Sequence, residues 1–384
     1  MALEKITMLG PFPPTSGGIS DYCFELASSL AKKTGVEFLT FKEIYPEFLY
    51  PGGAAKENTL DLARHLPEGL SVKPVLSWYN PVGWLKAGLE SKGDVFHFQW
   101  WTFYLFFPIF AIALISKFRG KKIVCTIHNV LGHESGLIDR FFSSLIFLLP
   151  DKFIVHSGQN KAQLQKNFNI NESRISVIPM GVFGLYHGKG ISKSGARKKL
   201  GIPPKAKVVL FFGIIRKYKG LEDLVEAFKI SRKTVGNLFL LVAGKPWESE
   251  YERSLPKNLG GIENKKLVLE HIPSSQIKFY FSAADLVVLP YREFSAQSAV
   301  GSTALSFSKP ILASDAGGLP ELVLNKGMIF KAGNITEIAS KLNQIFLTKG
   351  LLQGMALDSK KLGQKYSWKG ICERTIGLYN GLFP

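Results

Sequence analysis

Short runs of β-branched and aromatic residues alternate along the chain with longer segments in which apolar residues recur every three or four positions. The runs KITML, DVFHFQ, KIVCTIH and DKFIVHS each precede such a segment, the first of which is DYCFELASSLAKK. Parallel strands need connections long enough to hold a helix, so this alternation is typical of a parallel sheet with helices on both faces. The pattern therefore predicts an α/β fold.

The alternation stops within residues 178–204 and then starts again. This segment combines Pro179 with several glycines and a run of Lys and Arg, and no apolar period crosses it. The strand-like runs that follow include VVLFFG, LFLLVAG, DLVVLPY and PILAS. We therefore predict a first α/β domain at 1–182, a second at 183–365, and a C-terminal helix at about 366–384 that packs back on the first.

Composition adds the expectation of an anionic partner. The chain has 384 residues, 46% of them hydrophobic, and a formal charge of +18. Residues 1–182 contain 18 basic and 15 acidic side chains, whereas residues 183–384 contain 30 and 15. Nucleic acid, phospholipid and nucleotide phosphates would all complement this charge. Three widely spaced cysteines exclude a disulfide framework and a Cys-rich zinc module, and they favour a reducing cytoplasm.

The sequence predicts neither a signal peptide nor a membrane span. The first residues lack a basic segment followed by a long apolar one. The most apolar segment, Thr102–Ile115, has fourteen residues. A spanning helix needs about 20, and we expect Pro108 to interrupt this one.

Four loops that follow predicted strands carry the candidate chemistry, because open parallel sheets bind ligands beyond the carboxyl ends of their strands. The first is Gly10–Ser20, where Gly17 and Gly18 allow the backbone to approach a ligand and the next helix directs free N–H groups toward an anion. It matches neither GxxxxGK[ST] nor GxGxxG, which argues against a kinase or a nicotinamide dehydrogenase. A Pro/Gly turn with a helix cap explains it equally well.

The second loop lies within Gly213–Phe228. Arg216 and Lys219 are three residues apart just before a predicted helix and are followed by Gly220. A guanidinium fork and an ammonium at a helix start can converge on phosphate groups. The alternative is a solvated basic loop.

The third loop follows the strand KIVCTIH and contains His128, Asn129, His133 and Glu134. The spacing has neither a third nearby ligand nor an HExxH register, so we do not predict a zinc site. A histidine at a strand end is either a hydrogen-bonded core group or a reactive group over the ligand site.

The fourth loop contains Gly317 and Gly318, which follow the strand PILAS. Their N–H groups can face an anion or a sugar hydroxyl, although a β-turn into a helix fits as well. The whole chain lacks a DxD carboxylate pair for Mg²⁺ and a GxSxG nucleophile motif. The residues alone thus predict a two-domain protein that binds a phosphate-bearing ligand.

Seven segments resemble, in order, those of the GT-B glycosyltransferases, specifically the family-four (group 1) retaining enzymes. They are GPFPPTSGGISDYCFELASSLAKK, TIHNVLGHE, VIPMGV, FFGIIRKYKGLEDLVEAF, LVAGK, AADLVVLPY and KPILASDAGGLPELV. The resemblance implies two Rossmann-like α/β/α domains facing a central cleft. It also implies transfer of a hexose from a nucleotide diphosphate sugar to a glycan or lipid-linked acceptor, with retention and with neither a metal nor a cofactor.

The resemblance places the donor mainly in the second domain and the acceptor mainly in the first. It assigns catalytic roles to His128, near the transferred sugar, and to Arg216 and Lys219, which would neutralise the diphosphate. The implied donor contacts are Gly17, Gly18, Ile272 within the nucleobase segment Glu270–Pro273, and Gly317, Gly318 and Leu319 within the loop Asp315–Leu319.

One motif departs from the family. The two glutamates of E-x7-E fall on Ser295 and Thr303, and the usual Gly-Arg of the basic loop is Gly213-Ile214 here. The segment PYREFSAQSAVGSTALSF resembles a variant in which PYR and QS replace the glutamates. We therefore expect Gln297, Ser298 and Thr303 to contact the donor. The departure also leaves open a non-catalytic homologue that binds a nucleotide sugar or activates a partner.

A membrane surface is the remaining expected partner. Six aromatic residues precede a basic cluster, which is typical of an interfacial segment, although a core helix would need the same apolarity. These residues are Trp100, Trp101, Phe103, Tyr104, Phe106 and Phe107, followed by Lys117, Arg119, Lys121 and Lys122. We expect a cytoplasmic protein, peripheral on the inner face of the membrane and active in cell envelope polysaccharide synthesis. A nucleic-acid binder is the third alternative, and no sequence motif supports it.

Overall fold

The computed structural model describes residues 3–383, except 16, 46–65, 131–135, 188–189, 248–252, 254, 256–258 and 295–296. The chain divides into two compact units. The first contains residues 1–181 and 367–384, and the second contains residues 182–366.

A parallel sheet forms the centre of the first unit. Its described strands are β1 (Lys5–Leu9), β2 (Gly35–Glu43), β3 (Leu70–Ser77), β4 (Val95–Trp100), β5 (Lys122–Ile127), β6 (Lys152–Val155) and β7 (Ile175–Val177). They lie in the order β3-β2-β1-β4-β5-β6-β7. Every residue of β4 is buried, as expected for a strand covered on both faces. The strand order reverses between β1 and β4, which is where open α/β sheets bind ligands.

Helices cover this sheet. In chain order they are α1 (Gly18–Ala31), α2 (Pro81–Glu90), α3 (Phe106–Phe118), α4 (Leu137–Ile146) and α5 (Gly158–Phe168). Pro108 lies in the first turn of α3. A proline there costs no hydrogen bond, because the N–H groups of a first turn have no partner within the helix. The expected interruption at Pro108 was therefore wrong.

The second unit repeats this architecture. Its strands are β8 (Lys207–Phe212), β9 (Leu238–Ala243), β10 (Lys265–Val268), β11 (Leu286–Leu289), β12 (Ile311–Ser314) and β13 (Ile329–Phe330). They are parallel, in the order β10-β9-β8-β11-β12-β13. The described helices are α6 (Lys193–Leu200), α7 (Leu221–Ser231), α8 (Ser274–Ala283), α9 (Ala299–Ser306), α10 (Ile335–Leu347) and α11 (Leu351–Lys365). The order reverses between β8 and β11.

The last helix, α12 (Trp368–Asn380), belongs to the first unit. It packs against α1, where the Cys372 thiol donates to the Ser29 carbonyl. The ring of Trp368 lies 5.5 Å from that of Tyr22. A Cβ on Gly181 would come within 2.5 Å of the Trp368 indole, so the chain passes directly under this ring.

The aromatic segment before the basic cluster is mostly core. Trp100 and Phe106 are buried, and Trp101 and Phe103 are half-buried against the same core cluster. The exposed members are Tyr104 and Phe107. The sequence could not separate these two groups, because a core helix and an interfacial helix require similar apolarity.

Candidate functional site

The basic loop after β8 is held in place by glycines. Gly220 has φ +66°, and a Cβ there would lie 2.1 Å from the carbonyl oxygen of Pro290, which follows β11. Only glycine lets the two loops approach this closely. Gly213 has φ +94°, and a Cβ there would lie 3.0 Å from Val300 in α9. The loop therefore lies against the carboxyl end of β11 and the first turn of α9.

Lys219 has a buried ammonium group. Its side chain lies in a short 3-10 turn and is 8% exposed, with Nζ 5.5 Å from the centroid of the Tyr291 ring. Burial, and then the charge of Arg216, lowers the pKa of Lys219 to about 7. Within the described ranges no carboxylate or hydrogen-bond acceptor contacts this Nζ. An ammonium in such a place is stabilised by an added anion.

Arg216 stacks on an aromatic ring that the sequence analysis did not single out. The guanidinium carbon lies 4.3 Å from the ring centroid of Trp247, in the loop after β9. The Trp247 backbone N–H donates to the Ile215 carbonyl at 3.0 Å, which ties the two loops together. Stacking leaves the N–H edges of a guanidinium available for phosphate. The position of a tryptophan after a strand was the only signal in the sequence.

The PYR segment after β11 braces the basic loop. Arg292 forms a bidentate ion pair with Asp223 in the first turn of α7, with hydrogen bonds of 2.7 and 2.6 Å. Its backbone N–H donates to the Tyr218 carbonyl at 2.7 Å. The arginine of this segment thus neutralises a buried carboxylate and fixes the turn that carries Lys219.

The positions expected to replace the family's glutamates surround the start of α9. Ser298 caps this helix, because its Oγ accepts from the Gly301 N–H at 3.3 Å, and it lies 3.4 Å from the Tyr291 hydroxyl. Gln297 is buried beside it. The Thr303 hydroxyl donates to the Ala299 carbonyl of its own helix at 2.9 Å. Ser295 lies outside the described residues.

The glycine loop after β12 reaches the same place. Gly317 has φ +58°, and a Cβ there would lie 2.4 Å from the Phe294 carbonyl oxygen. Gly318 and Leu319 are buried, and the Leu319 N–H donates to the Ala316 carbonyl at 3.2 Å. The structure thus brings together Arg216, Lys219, Ser298 and the loop of Gly317. Ile272, buried after β10, has no described contact with this group.

In the first unit, the glycine-rich loop starts and ends on unusual glycines. Gly17 has φ +129° and precedes α1, which begins at Gly18. A Cβ on Gly10 would lie 2.7 Å from Cγ of Gln99 and 3.1 Å from the Cys23 sulfur. Gly10 thus lets the loop cross the buried end of β4.

His128 belongs to a buried chain of polar side chains. It follows β5 and is 4% exposed, with Nε2 2.9 Å from Gln99 Oε1 and Nδ1 3.3 Å from Nε2 of His156. The Nδ1 of His156 lies 3.0 Å from the Ile178 carbonyl oxygen. Burial, with the charges of His156 and His97, lowers the pKa of His128 far below its usual value. Burial likewise lowers the pKa of His156 to about 4.

A third buried histidine, His97, contacts α12. The Nδ1 of His97 lies 2.6 Å from the Tyr379 hydroxyl, and its Nε2 lies 2.7 Å from Thr126 Oγ1. Burial lowers the pKa of His97 to about 3. Tyr22 covers the chain from α1, with its ring edge-on to His128 at 5.0 Å. Gln99 and His156 were missed, although both stand at strand ends beside His128.

His133 and Glu134, considered above for zinc, lie outside the described residues. In the part of the chain that the structure describes, no three His, Cys, Asp or Glu side chains are grouped so that they could hold a metal ion. None of the described helices combines the length and the apolarity that crossing a membrane requires.

Comparison with known proteins gives the family. Residues 16–182 match "Glycosyltransferase Family 4", and residues 192–361 match "Glycosyl transferases group 1". The chain belongs to the group 1 glycosyltransferases. Its glycosyltransferase relatives include an uncharacterized enzyme of Methanocaldococcus jannaschii, 27% identical, with the alignment covering 99% of this chain and 98% of the relative. Another is the lipopolysaccharide 1,2-N-acetylglucosaminetransferase of Salmonella typhimurium, 28% identical over 66% of each chain.

Solved structures confirm the expected GT-B class for this glycosyltransferase. HepE of Anabaena, crystallised with UDP and glucose, superimposes with a TM-score of 0.76 at 18% identity and covers 98% of this chain and 100% of its own. A glycosyltransferase of Rickettsia africae gives a TM-score of 0.75 at 18% identity, covering 99% of this chain and 98% of its own. The two Rossmann-like sheets were predicted correctly.

Proposed function

We propose that this glycosyltransferase moves a hexose from a nucleoside diphosphate sugar to a glycan or lipid-linked acceptor, with retention of configuration and without a metal. The observation that carries the proposal is the buried ammonium of Lys219, which has no counter-ion within the described residues and shares its loop with Arg216. Both lie at the carboxyl edge of the second sheet, where open α/β sheets bind nucleotides.

The two cations would stabilise the leaving group. As the bond between the sugar and the diphosphate breaks, negative charge grows on the diphosphate oxygens, and fixed donors aimed at that charge lower the barrier. Arg216 supplies a planar fork already oriented by Trp247, and Lys219 supplies a point charge. The N–H groups of the Gly317–Gly318 turn and of the Gly17–Gly18 loop would add neutral donors. No DxD pair is present in the sequence to hold a metal at these phosphates.

The remaining sugar and base contacts follow the family resemblance. We propose Gln297, Ser298 and Thr303 as donor contacts in place of the glutamates, Ile272 with the backbone of Leu319 beside the nucleotide, and His128 near the transferred sugar. No side chain in the sequence demands a nucleophile's role. The family resemblance implies that the acceptor hydroxyl would attack from the face that the diphosphate leaves. That course retains the anomeric configuration.

A thermal-shift titration tests the diphosphate site. UDP is the first probe, because UDP occupies the similar HepE structure, and GDP and ADP follow. A nucleotide that binds the folded state must raise the melting temperature. We expect Arg216→Ala to abolish most of this shift and Lys217→Ala, an exposed lysine in the same loop, to preserve it. Equal shifts in both variants would show that the site is elsewhere.

A transfer assay separates an enzyme from a binding homologue. Donor hydrolysis and transfer to lipid acceptors are measured with each nucleotide sugar that stabilises the protein. Nucleotide binding without hydrolysis or transfer would favour the non-catalytic alternative. Retarded nucleic-acid probes at moderate salt would instead support the third alternative, which we do not favour.

An apolar surface of the first unit supports work on a lipid-linked acceptor at a cytoplasmic membrane face. We define the apolar face as exposed residues on or beside α2, α3 and α4, helices that pack side by side. They are Val82, Leu85, Leu89, Tyr104, Phe107, Phe118, Leu137, Ile138 and Phe141. Leu137 is 88% exposed and Phe107 60%. Exposed basic residues, including Lys117 and Arg140, flank the apolar face and would attract anionic lipid.

Vesicle flotation tests the apolar face. We expect the protein to float with vesicles containing anionic lipid at low salt, and the double variant Phe107→Ser/Ile138→Ser to remain in solution. Leu357→Ser, which changes an exposed leucine of the second unit, is the matched control. Wild-type protein that stays wholly in solution would refute membrane association. A role in cell envelope polysaccharide synthesis is consistent with the Salmonella relative.

A further inference from the structure

Three strand ends of the first unit carry a continuous chain of hydrogen-bonding side chains. Gln99 lies near the carboxyl end of β4, His128 follows β5 and His156 follows β6. The links measure 2.9 Å from Gln99 to His128, 3.3 Å from His128 to His156, and 3.0 Å from His156 to the Ile178 carbonyl. All three side chains are almost fully buried.

The carbonyl at the end fixes the direction of every hydrogen bond. The Ile178 oxygen can only accept, so the Nδ1 of His156 carries a proton and donates to it. In a neutral imidazole the other nitrogen is then an acceptor, which makes Nδ1 of His128 the donor to Nε2 of His156. The Nε2 of neutral His128 therefore carries a lone pair and no proton.

Gln99 completes the chain. A lone pair on His128 Nε2 requires a donor, so the amide of Gln99 turns its NH₂ group toward the ring. With the amide oxygen toward the ring instead, the Gln99 Nε2 is a buried donor that has no acceptor among the described residues. The oxygen and nitrogen of an amide have nearly the same shape, and exchanging them gives the NH₂ group the His128 lone pair as its acceptor. Burial of His128, together with the charges of His156 and His97, lowers its pKa and so opposes a second proton on the ring.

We infer that Gln99 and His156 are positioning residues that hold His128 as the neutral Nδ1–H tautomer, with a lone pair on Nε2. His156 acts from one side as the obligatory acceptor, and Gln99 acts from the other as the donor. The imidazole thus sits in one orientation and one protonation state before any substrate binds. The effect of this tautomer on sugar transfer rests on the proposed role of His128 near the sugar. The tautomer itself does not depend on that role.

Nuclear magnetic resonance of histidine tests the tautomer directly. Protein labelled with ¹⁵N and ¹³C histidine distinguishes Nδ1–H, Nε2–H and cationic rings by their nitrogen and Cδ2 shifts. We expect the wild-type His128 ring, assigned by its loss in His128→Asn, to be the neutral Nδ1–H tautomer at pH 7. A wild-type Nε2–H tautomer or a cation would overturn the inference, whatever the variants do.

Two variants test the positioning roles. In His156→Phe the acceptor is gone, and we expect the proton of His128 to move to Nε2 and donate to the Gln99 oxygen. In Gln99→Glu a carboxylate replaces the amide donor, and we expect His128 to become cationic at pH 7. An unchanged His128 tautomer in a folded variant would contradict the role of the residue replaced. Thermal melting identifies the folded variants, and the exposed His271 is the control ring.

Kinetics then connect the tautomer to transfer. In the folded variants we expect kcat to fall by about tenfold or more, the scale seen when the partner that fixes the tautomer of a metal-bound imidazole is replaced. The KM for the nucleotide sugar should change little, because neither Gln99 nor His156 is among the proposed diphosphate contacts. Altered tautomers with unchanged kcat would remove the catalytic role of His128 and leave the tautomer assignment intact.

Discussion

Single residues set the chemistry of the proposed diphosphate site, and Lys219 does so at a cost in stability. A buried ammonium without a counter-ion destabilises the folded protein, which is why the pKa of Lys219 falls to about 7. The unfolded chain binds this proton up to pH ~10.4. The penalty is therefore full below the folded pKa, shrinks as the pH rises above about 7, and is gone above the unfolded value.

Replacement of Lys219 should separate stability from binding. We expect Lys219→Met to raise the free energy of unfolding of the unliganded protein by about 1–4 kcal/mol, and its melting temperature with it, because an apolar chain of similar length replaces a buried charge. The same variant should lose most of the stabilisation by UDP, while Arg216 keeps residual binding measurable. The exposed Lys217→Met is the control and should change neither quantity. A lower melting temperature for Lys219→Met would show that its ammonium has a partner in the unliganded state.

Binding of UDP should also take up a proton. The diphosphate binds the protonated form of Lys219, so the affinity should weaken above pH 7 by up to about tenfold per pH unit. Titration calorimetry in buffers of different ionisation enthalpy measures the uptake. The slope should be absent in Lys219→Met, and an affinity that stays constant from pH 6.5 to 8.5 in the wild type would contradict this role.

At the scale of elements, α12 completes the first unit. Its Tyr379 hydroxyl contacts buried His97 of β4, and its Trp368 ring covers Tyr22 of α1. The helix thus packs against residues that neighbour His128, because Tyr22 contacts both Trp368 and His128. The sequence placed this helix on the first domain by its position alone, whereas the structure gives the contacts that hold it there.

Removing one atom tests this packing. Tyr379→Phe leaves the His97 Nδ1 without its partner in a buried place, and we expect a loss of about 1–3 kcal/mol in the free energy of unfolding. Chemical denaturation followed by tryptophan fluorescence measures it. Tyr104→Phe, at an exposed position, should be neutral. Equal stability of the two variants would mean that α12 is not anchored through this hydroxyl.

For the whole molecule, three buried neutral histidines predict acid sensitivity. Burial lowers the pKa of His97 to about 3 and of His156 to about 4, and that of His128 also lies far below its usual value. The unfolded chain binds these protons near pH 6.5, so stability is complete above that value and falls as the pH drops toward the folded values. Each histidine contributes about 1.4 kcal/mol per pH unit in that window.

Urea denaturation at pH 7 and pH 5 measures this effect. We expect a loss of roughly 2 kcal/mol at pH 5 for each of His97 and His156, and a further loss from His128. His97→Gln should reduce the pH dependence, and the exposed His271→Gln should leave it unchanged. A free energy of unfolding that is the same at both pH values would show that these rings are protonated in the folded state.

The sequence by itself determined the class of the fold and the family. Alternating strand and helix patterns allow few arrangements other than parallel sheets, and loops after parallel strands meet at one edge, so Arg216, Lys219 and Gly317 could be chosen from pattern and resemblance. These properties are local, or follow from topology alone.

Tertiary structure decided which side chains meet. Arg216 stacks on Trp247, and hydrogen bonds run from Gln99 through His128 to His156; these contacts join residues that are distant in sequence. Trp100 is buried and Phe107 is exposed, although both are aromatic residues of one segment. A single sequence records apolarity and spacing but not which face of a helix is covered. Nor does it record which strand end lies beside another until the sheet order is known. The protonation state of His128 depends on those neighbours, and for that reason it was decided by the fold.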